Sequence, residues 1–346
     1  MITYKFRLYP TKSQEKILIS WLETCRFLYN YFLEERKKSW ENNKKSLNYY
    51  NQATELPKLK KIHPKIKDVY STVLQNVAVR IDLAFQAFFR RIKQGEKPGY
   101  PRFKGKNQYD SFTFPQFEFG NYLDRDYIEI SKIGKIYFKK HREIEGKIKT
   151  VTIKKNPTGK WFISFITDFQ KQSKVKKSNK NIGIDVGIES FATFSNGQDI
   201  ENPRFFESEQ KELAKIQRKI ENQKKEGKKI KWKDRKRRAR VYERINNKRK
   251  EFAHKQSLKI INNYKTICIE DIKINKLIQK KWCSKQICDA SWGMFFDILT
   301  HKAESAGREI IKINPAYTSQ TCNKCGTRTV HELKDRIFNC SSCKHS

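Results

Sequence analysis

The stretch that decides the fold is Asn181-Ile-Gly-Ile-Asp-Val-Gly-Ile-Glu-Ser-Phe-Ala-Thr-Phe-Ser-Asn-Gly197. It predicts a β-hairpin whose first strand is buried and whose second strand runs from Phe191 to Phe194. The buried positions of the first strand are Ile182, Ile184 and Val186. Asn196-Gly197 is a strong signal for a type I′ turn, in which both central residues have positive φ. A strand pair therefore opens this part of the chain.

One carboxylate, Asp185, lies on the apolar first strand. Gly183 and Gly187 flank it and leave room for another backbone or a phosphate to approach. Burying an acid is unfavourable unless it is paired or binds a cation. Asp185 is therefore either a cap for the tight turn that follows or a candidate metal ligand.

A second acid ends another apolar run, Lys265-Thr-Ile-Cys-Ile-Glu-Asp-Ile272, which predicts a short buried strand ending at Glu270. Two strands that each present a carboxylate, with long helical sequence between them, predict an RNase H-like sheet. Hard divalent cations such as Mg²⁺ prefer carboxylate oxygens, and a pair of them can clamp a phosphodiester. Asp185 and Glu270 are the candidate catalytic residues and magnesium ligands.

The charge predicts a polyanionic partner. The 346 residues include 75 Lys and Arg against 37 Asp and Glu, a net charge of +38. The 23 Phe, 15 Tyr and 6 Trp suit stacking on unpaired bases, although most will pack in cores. No apolar run reaches the ~18–20 residues that span a bilayer, and we expect neither a secretory signal nor a membrane partner.

The eight cysteines predict a metal site rather than disulfides. Two C-x₂-C pairs, Cys322/Cys325 and Cys340/Cys343, are separated by 14 residues, and they can supply the four tetrahedral ligands of a structural Zn²⁺. All four positions are filled, so the site leaves no room for a catalytic water. Cys25 and Cys268 lie in apolar patterns that indicate core packing.

The first half of the chain predicts a small antiparallel barrel with helices inserted into it. Residues 2–8 alternate as a strand, and five further short strands follow between residues 111 and 166. Thr11 and Gln14 form a capping box for a helix with an apolar stripe from Ile17 to Leu33. A second helix covers 68–94, and residues 37–67 are expected to be a helix end and a loop.

The second half begins with a basic, polar linker over 171–180. An antiparallel helix pair, broken near Gly227, is predicted over 205–262. Residues 224–250 hold 15 Lys or Arg and three acids. Like charges at i,i+4 repel, so this density predicts a nucleic-acid contact rather than a plain solvated face. Trp292–Ala306 is a predicted helix stopped by Gly307, and Glu309–Ile313 is a predicted strand.

Several motifs together resemble the TnpB (OrfB-type) transposon-encoded proteins, relatives of the type V CRISPR effectors, along essentially the whole chain. They are Arg7-Leu-Tyr-Pro10, Gly99-Tyr-Pro-Arg-Phe-Lys104, Gly183-Ile-Asp-Val-Gly187, Ile269-Glu-Asp-Ile272, Thr318-Ser-Gln-Thr-Cys322 and the four cysteines.

The resemblance implies an α+β multidomain protein that binds a transposon-derived guide RNA. It would read a short motif beside the target and cut double-stranded DNA with Mg²⁺ at a RuvC-type site, in which Asp185 and Glu270 match the first two acids. The implied domains are a β-barrel (1–10 and 95–170), a helical recognition domain (11–94), a RuvC-like domain (181–317) and a zinc ribbon (318–346). The implied state is one copy on one RNA, in the bacterial cytoplasm near the nucleoid.

The candidate nucleic-acid contacts are cations and one tyrosine taken from the motifs and from the basic helices. They are Arg7, Tyr100, Arg102, Lys104, Lys233, Arg235, Arg237, Arg238, Arg240 and Arg244.

The sequence departs from the family pattern at the third acid. The family places an Asp shortly after the last cysteine. Here Cys343 is followed only by Lys-His-Ser346, while Asp335 lies inside the ribbon and Asp289 and Asp297 come too early. Two interpretations stay open. The sequence is a shortened version of a nuclease, or it is a truncated relative that keeps guided binding and acts as a repressor.

Two hypotheses from other classes also stay open. An RNase H-fold transposase would act without RNA and perform strand transfer. A plain RNA-binding protein would have structural carboxylates, and Asp185→Ala would then change no activity.

Overall fold

Two units, Met1–Gln170 and Lys171–Ser346, make up the chain in this computed structural model. The structure describes residues 1–117, 121–169, 178–279, 283–318, 320–322, 324–329 and 338–345. Most of the predicted linker, residues 171–177, lies outside the described residues.

The first unit is built on a seven-stranded antiparallel sheet with the order β2-β6-β7-β1-β5-β4-β3. Its strands are β1 (Ile2–Tyr9), β2 (Ser111–Phe114), β3 (Asn121–Asp124), β4 (Tyr127–Ile130), β5 (Gly134–Lys139), β6 (Ile148–Lys155) and β7 (Trp161–Thr167). The first strand joins this sheet as predicted, between β5 and β7. The predicted antiparallel barrel is confirmed in part: the strands form one curled antiparallel sheet, a half-barrel, in which β2 and β3 are unpaired edges among the described residues. Both are four-residue strands, too short to offer many ladder hydrogen bonds.

Period-two alternation explains which side chains of β1, the central strand, enter the core. Tyr4, Phe6 and Leu8 are buried, while the residues between them face away from this core. Phe6 contacts Phe138 of β5 and Phe165 of β7, with ring centres 5.4 and 6.0 Å apart. Aromatic residues from three adjacent strands therefore form the centre of this core.

Three helices lie between β1 and β2, which agrees with the prediction that helices are inserted into the strands of this unit. They are α1 (Lys12–Asn43), α2 (Tyr49–Ile62) and α3 (Ser71–Lys93). The capping box of Thr11 and Gln14 is present. Of the helix end and loop predicted over 37–67, the helix end is confirmed, because α1 runs to Asn43. The loop is wrong, because α2 and a 3₁₀ turn (Pro64–Asp68) occupy most of the remainder.

A buried polar network explains why this lysine-rich segment is ordered. The Arg36 guanidinium on α1 donates to Gln52 of α2 at 2.9 Å and to Asp82 of α3 at 3.0 Å. Leu56 and Leu59 complete the buried face of α2. Pairing of buried polar groups across three helices is a tertiary effect, and the local composition carries no sign of it.

The second unit holds a five-stranded mixed sheet with the order β10-β9-β8-β11-β12. Its strands are β8 (Asn181–Val186), β9 (Ser190–Phe194), β10 (Asp199–Glu201), β11 (Thr266–Glu270) and β12 (Glu309–Ile313). The hairpin of β8 and β9 is confirmed, and β8, β11 and β12 run parallel to one another.

The turn prediction within this sheet is wrong in two respects. Asn196-Gly197 joins β9 to β10, and only Gly197 has positive φ, at 82°. Its N–H donates to the Phe194 carbonyl at 2.9 Å. A three-residue loop with one left-handed residue at its end therefore replaces the type I′ turn.

Five helices connect these strands. They are α4 (Phe205–Lys225), α5 (Trp232–Asn263), α6 (Ile274–Gln279), α7 (Ser284–Ala290) and α8 (Trp292–Ser305). The predicted break between α4 and α5 is confirmed, with Gly227 at φ 65°. Apolar residues of α5 and α8, including Ile260, Phe295 and Leu299, pack on the sheet. The architecture is α+β, and no described helix is both long and apolar enough to cross a membrane.

Candidate functional site

Asp185 and Glu270 lie at the ends of two neighbouring parallel strands. β8 and β11 pair in register, with Ile184 opposite Ile269. Each isoleucine is followed by one of the acids. Since side chains alternate along a strand, both carboxylates lie on the sheet face opposite to the one that buries the isoleucines. The structure thus brings together two residues that are 85 positions apart in sequence.

The two carboxylates interact electrostatically. Asp185 is solvent-accessible, yet the partial loss of its hydration raises its pKa above the ordinary value of 3.8. The charge of Glu270 raises this pKa further, while a hydrogen bond from the backbone of Val186 lowers it. Two like charges that repel each other at one edge of a sheet favour a divalent cation between them.

Thr318 holds one oxygen of Glu270. Its hydroxyl donates to Oε1 of Glu270 at 2.6 Å. A ligating carboxylate is commonly oriented by such a hydrogen bond, which leaves its other oxygen free for a metal. Thr318 belongs to the motif that leads into the first cysteine pair, so this segment links the two candidate metal centres.

The same face of the sheet carries apolar side chains. Ile311 and Ile313 of β12 are 40% and 41% exposed, and Cys268 on β11 lies beside Ile311. The prediction that Cys268 is a core residue is therefore wrong, because it is half-buried on this face. Cys25 is fully buried, as predicted.

No third acid joins the pair within the described part of the chain, where the only group of three or more potential metal ligands is the cysteine cluster. Asp289 is committed elsewhere. It is buried, accepts from the backbone N–H groups of Phe206 and Glu207 at the start of α4, and pairs with Arg249 at 2.8 Å. Asp297 is exposed on α8, and Asp335 lies outside the described residues.

The four predicted cysteines converge. Their Sγ atoms all lie within 4.8 Å of one another. Cys322 and Cys343 are 3.6 Å apart, and Cys325 and Cys340 are 3.5 Å apart. Zn–S bonds of about 2.3 Å place tetrahedral sulfurs about 3.8 Å apart, so the donor set fits Zn²⁺.

Both cysteine pairs adopt one backbone pattern. The N–H of Gly326 donates to the Cys322 carbonyl at 2.9 Å, and that of Lys344 donates to the Cys340 carbonyl at 3.1 Å. The donor residues have positive φ, 73° and 53°. Hydrogen bonds with Thr327 lower the pKa of Cys325 to about 6, whereas lost hydration and hydrogen bonds with the other three thiols raise the pKa of Cys343 to about 12. Metal binds the thiolate form, so binding would release the remaining protons.

The predicted contacts on α5 differ in how they are engaged. Arg237 and Arg244 pair with Glu212 of α4 at 3.3 and 3.1 Å. The other four have no ion pair with any described residue: Lys233, Arg235, Arg238 and Arg240. Internal acids therefore neutralise part of the basic helix and leave the remainder available to phosphate.

The predicted contacts of the first unit are partly structural. The Arg7 guanidinium donates to the Trp161 carbonyl at 2.7 Å. The backbone N–H of Lys104 donates to Asn30 at 2.7 Å, so this residue also has a structural role. Arg102 is exposed. These assignments as nucleic-acid contacts stay predictions.

Tyr100 belongs to an aromatic cluster. Its ring lies 5.6 Å from that of Phe85 and 5.4 Å from that of Phe88, and the side chain is still 46% exposed.

Sequence reasoning missed Thr318 as a partner of Glu270 and Trp232 as an exposed residue among the cations. Thr318 was visible within the motif before Cys322, but only the fold shows its contact. Trp232 was visible inside the most basic stretch of the chain.

Three family models match the chain. The model described as "Probable transposase" matches residues 164–281, and "Cas12f1-like, TNB domain" matches residues 292–346. "Helix-turn-helix domain" matches residues 1–45, where the structure has β1 and α1.

Two relatives align over nearly the whole chain. InsQ of Escherichia coli (strain K12), provisionally named an RNA-guided DNA endonuclease, is 29% identical over 97% of this chain and 86% of its own length. A protein of Streptomyces pristinaespiralis with the same provisional name is 28% identical over 94% of this chain and 80% of its own.

A solved structure titled "Cryo-EM structure of the Cas12f1-sgRNA-target DNA complex" is also similar. It is 16% identical, covers 94% of this chain and 88% of that one, and has a TM-score of 0.32. The family models and the full-length relatives agree with the motifs around Asp185, Glu270 and the four cysteines. The chain therefore resembles the TnpB (OrfB-type) family along nearly its whole length.

Proposed function

We propose that this chain is an RNA-guided DNA-binding protein that cuts complementary double-stranded DNA beside a short adjacent motif. The observation that carries the proposal is the pair of carboxylates, Asp185 and Glu270, on the ends of neighbouring parallel strands. When bound, Mg²⁺ would supply Lewis-acid chemistry to the phosphodiester. Asp185 and Glu270 would hold it, and Thr318 would orient Glu270.

The second unit is proposed to be an RNase H-like (RuvC-type) domain over 181–317 that carries a zinc ribbon over 318–346. The mixed sheet with its parallel β8, β11 and β12 supports the first assignment. The geometry of the four sulfurs supports the second. A filled Cys₄ set has no open position for water, so its Zn²⁺ would be structural.

The first unit is proposed to hold the RNA, with the sheet (1–10 and 95–170) and the inserted helices (11–94) as separate binding domains. The RNA would come from the transposon end and would read the target by base pairing, while the protein reads backbone shape and the adjacent motif. One protein copy on one RNA, acting near the bacterial nucleoid, completes the proposal.

A second candidate is a guided DNA binder that does not cut and that acts as a repressor. The observation that favours it is that no third described carboxylate joins Asp185 and Glu270. Two acids hold a two-metal centre weakly compared with three. In this second candidate, the binding of RNA and of target DNA is the same as in the first, and only the hydrolysis of the phosphodiester is lost.

The test is to purify the chain with co-expressed transposon-end RNA and to incubate it with matched or mismatched duplex and Mg²⁺. Asp185→Asn and Glu270→Gln remove one charge each with little change of shape. Cleavage of the matched duplex that both variants lose supports the nuclease. Binding to it without cleavage supports the guided binder.

Cleavage that survives both substitutions contradicts the assigned site. Strand transfer in the absence of RNA would instead identify a transposase.

A further inference from the structure

Trp232 is exposed to an unusual degree for a large apolar residue. It is the first residue of α5, and 67% of its surface is accessible. The Nζ atom of Lys236, one turn along the helix, lies 4.4 Å from its ring centre. The indole is therefore contacted by a neighbouring cation, through a cation–π interaction, while most of its surface remains open to solvent.

The turn that carries Trp232 is held rigidly. Gln223 of α4 accepts from the Lys231 N–H at 2.8 Å and donates to Asp234 at 2.7 Å. Both Gln223 and Asp234 are buried, and Lys219 pairs with Asp234 at 3.3 Å. Hydrogen bonds thus fix the backbone on both sides of the tryptophan. Binding a ligand there would cost little additional backbone conformational entropy.

Trp232 lies at a groove, here named the Trp232 groove, of about 550 Å³ between α4 and α5. Cations dominate its lining. The lining residues are Glu212, Trp232, Lys233, Lys236, Arg237, Arg240, Val241 and Arg244.

The single acid of the groove neutralises only part of this charge. Glu212 pairs with Arg237 and Arg244. Lys233 and Arg240 have no ion pair with any described residue. A uniformly spaced polyanion complements such a groove, whereas a protein partner would require a matching acidic surface.

We propose that the Trp232 groove binds an unpaired segment of nucleic acid, with one base stacked on Trp232 and the adjoining phosphates held by Lys233 and Arg240. The proposal rests on the proposed function in so far as the chain must bind nucleic acid.

An unpaired strand fits better than a duplex because its bases present free π-faces. Each stacked base contributes about 1–3 kcal/mol in single-strand binding proteins. Cations alone would suffice for a duplex backbone, so the tryptophan is the feature that selects the unpaired strand.

The experiment measures the affinity of the 346-residue chain for three labelled strands of about 20 nucleotides, longer than the ~4–16 covered by a single-strand domain. The probes are oligothymidylate, oligouridylate and an abasic deoxyribose-phosphate strand of equal charge. Trp232→Ala removes the ring, and Trp232→Phe keeps an aromatic face. Because the residue is exposed, both variants are expected to keep the wild-type circular dichroism spectrum.

We expect Trp232→Ala to weaken binding of the base-bearing strands between about fivefold and about 150-fold, the range equivalent to 1–3 kcal/mol. Binding of the abasic strand should not change, and Trp232→Phe should retain most of the wild-type affinity. The two base-bearing probes distinguish RNA from DNA as the source of the strand.

The cations are tested separately through salt dependence. The slope of log K against log salt is negative, and Arg240→Ala should reduce its magnitude by about 0.7 for every single-stranded probe, because one phosphate contact is lost. Trp232→Ala should leave this slope unchanged. Glu212→Gln should raise affinity for all three probes, because it releases Arg237, while Arg244 keeps its ion pair with Glu209.

The proposal would be overturned if Trp232→Ala weakened binding of the abasic strand and the base-bearing strands equally. It would also be overturned if the substitution weakened binding of none of them. If the guided-binding test still succeeds in that case, the proposed function stands alone. If the wild-type chain binds no probe and co-purifies with no RNA, both fall.

Discussion

Replacing Asp185 by Asn should stabilise the metal-free protein and remove its response to Mg²⁺. The folded state raises the pKa of Asp185 above 3.8 through lost hydration and the charge of Glu270. Ionisation is therefore less favourable in the folded chain than in the unfolded chain. Stability should fall as the pH rises from the unfolded-state pKa through the raised folded-state pKa. Asparagine does not ionise, so the variant avoids that loss.

The size of the effect follows from the strand spacing. Carboxylates on strands about 4.8 Å apart repel by about 0.9 kcal/mol in water and by about 3.5 kcal/mol at an effective dielectric constant of 20. Asp185 is exposed, and solvent screens the repulsion, so about 1 kcal/mol is expected. For a unit of this size that raises Tm by about 2–4 °C.

Magnesium should reverse this order. A ligand at 100 times its Kd stabilises the folded state by about 2.7 kcal/mol, which exceeds the repulsion. The wild-type chain should then become more stable than Asp185→Asn.

The assay is thermal unfolding at pH 7 and at pH 3, with and without Mg²⁺. Asp297→Asn serves as the control, because this exposed acid lies on α8 away from the pair. At pH 3, below the raised pKa of Asp185, the wild-type chain and Asp185→Asn should differ little in Tm. The electrostatic reasoning is refuted if Asp185→Asn behaves as Asp297→Asn at pH 7, or if Mg²⁺ raises the Tm of both variants equally.

Three further predictions concern the same unit. Thr318→Val should weaken Mn²⁺ binding, measured by electron paramagnetic resonance, about 10–100-fold because Glu270 loses its orienting hydrogen bond, while Thr318→Ser should not. Cys340→Ser should abolish the binding of one Zn²⁺ per chain, measured by metal analysis, and should make the C-terminal segment protease-sensitive; retained zinc would contradict the four-sulfur site. Asp289→Ala should lower the free energy of unfolding in urea by about 3 kcal/mol, because it removes a buried carboxylate and leaves the partly buried Arg249 without its partner, and a loss no larger than that of Asp297→Ala would contradict this role.

Local pattern predicted most elements well where periodicity and packing agree. Alternation in β1 placed Tyr4, Phe6 and Leu8 in the core, and the structure buries all three. Gly227 and Gly307 mark helix ends, as predicted, since both adopt positive φ.

Prediction failed where long-range contacts decide. The lysine-rich α2 is ordered because Arg36 ties it to α1 and α3, and composition gave no sign of that. The sequence also did not determine how far the sheet closes, because short strands at regular spacing fit a closed barrel and a half-barrel equally well.

The sequence by itself determined the chemistry available to this protein: the acids on two apolar strands, the spacing of the four thiols and the excess of cations. These depend on residue identity and short spacing, which the chain carries locally. Only the tertiary structure decided which groups meet. It placed Asp185 beside Glu270, put Thr318 against Glu270, and left Trp232 exposed beside cations that have no ion pair with any described residue. Contacts between distant residues follow from strand register and helix packing, which arise from burial summed over the whole unit.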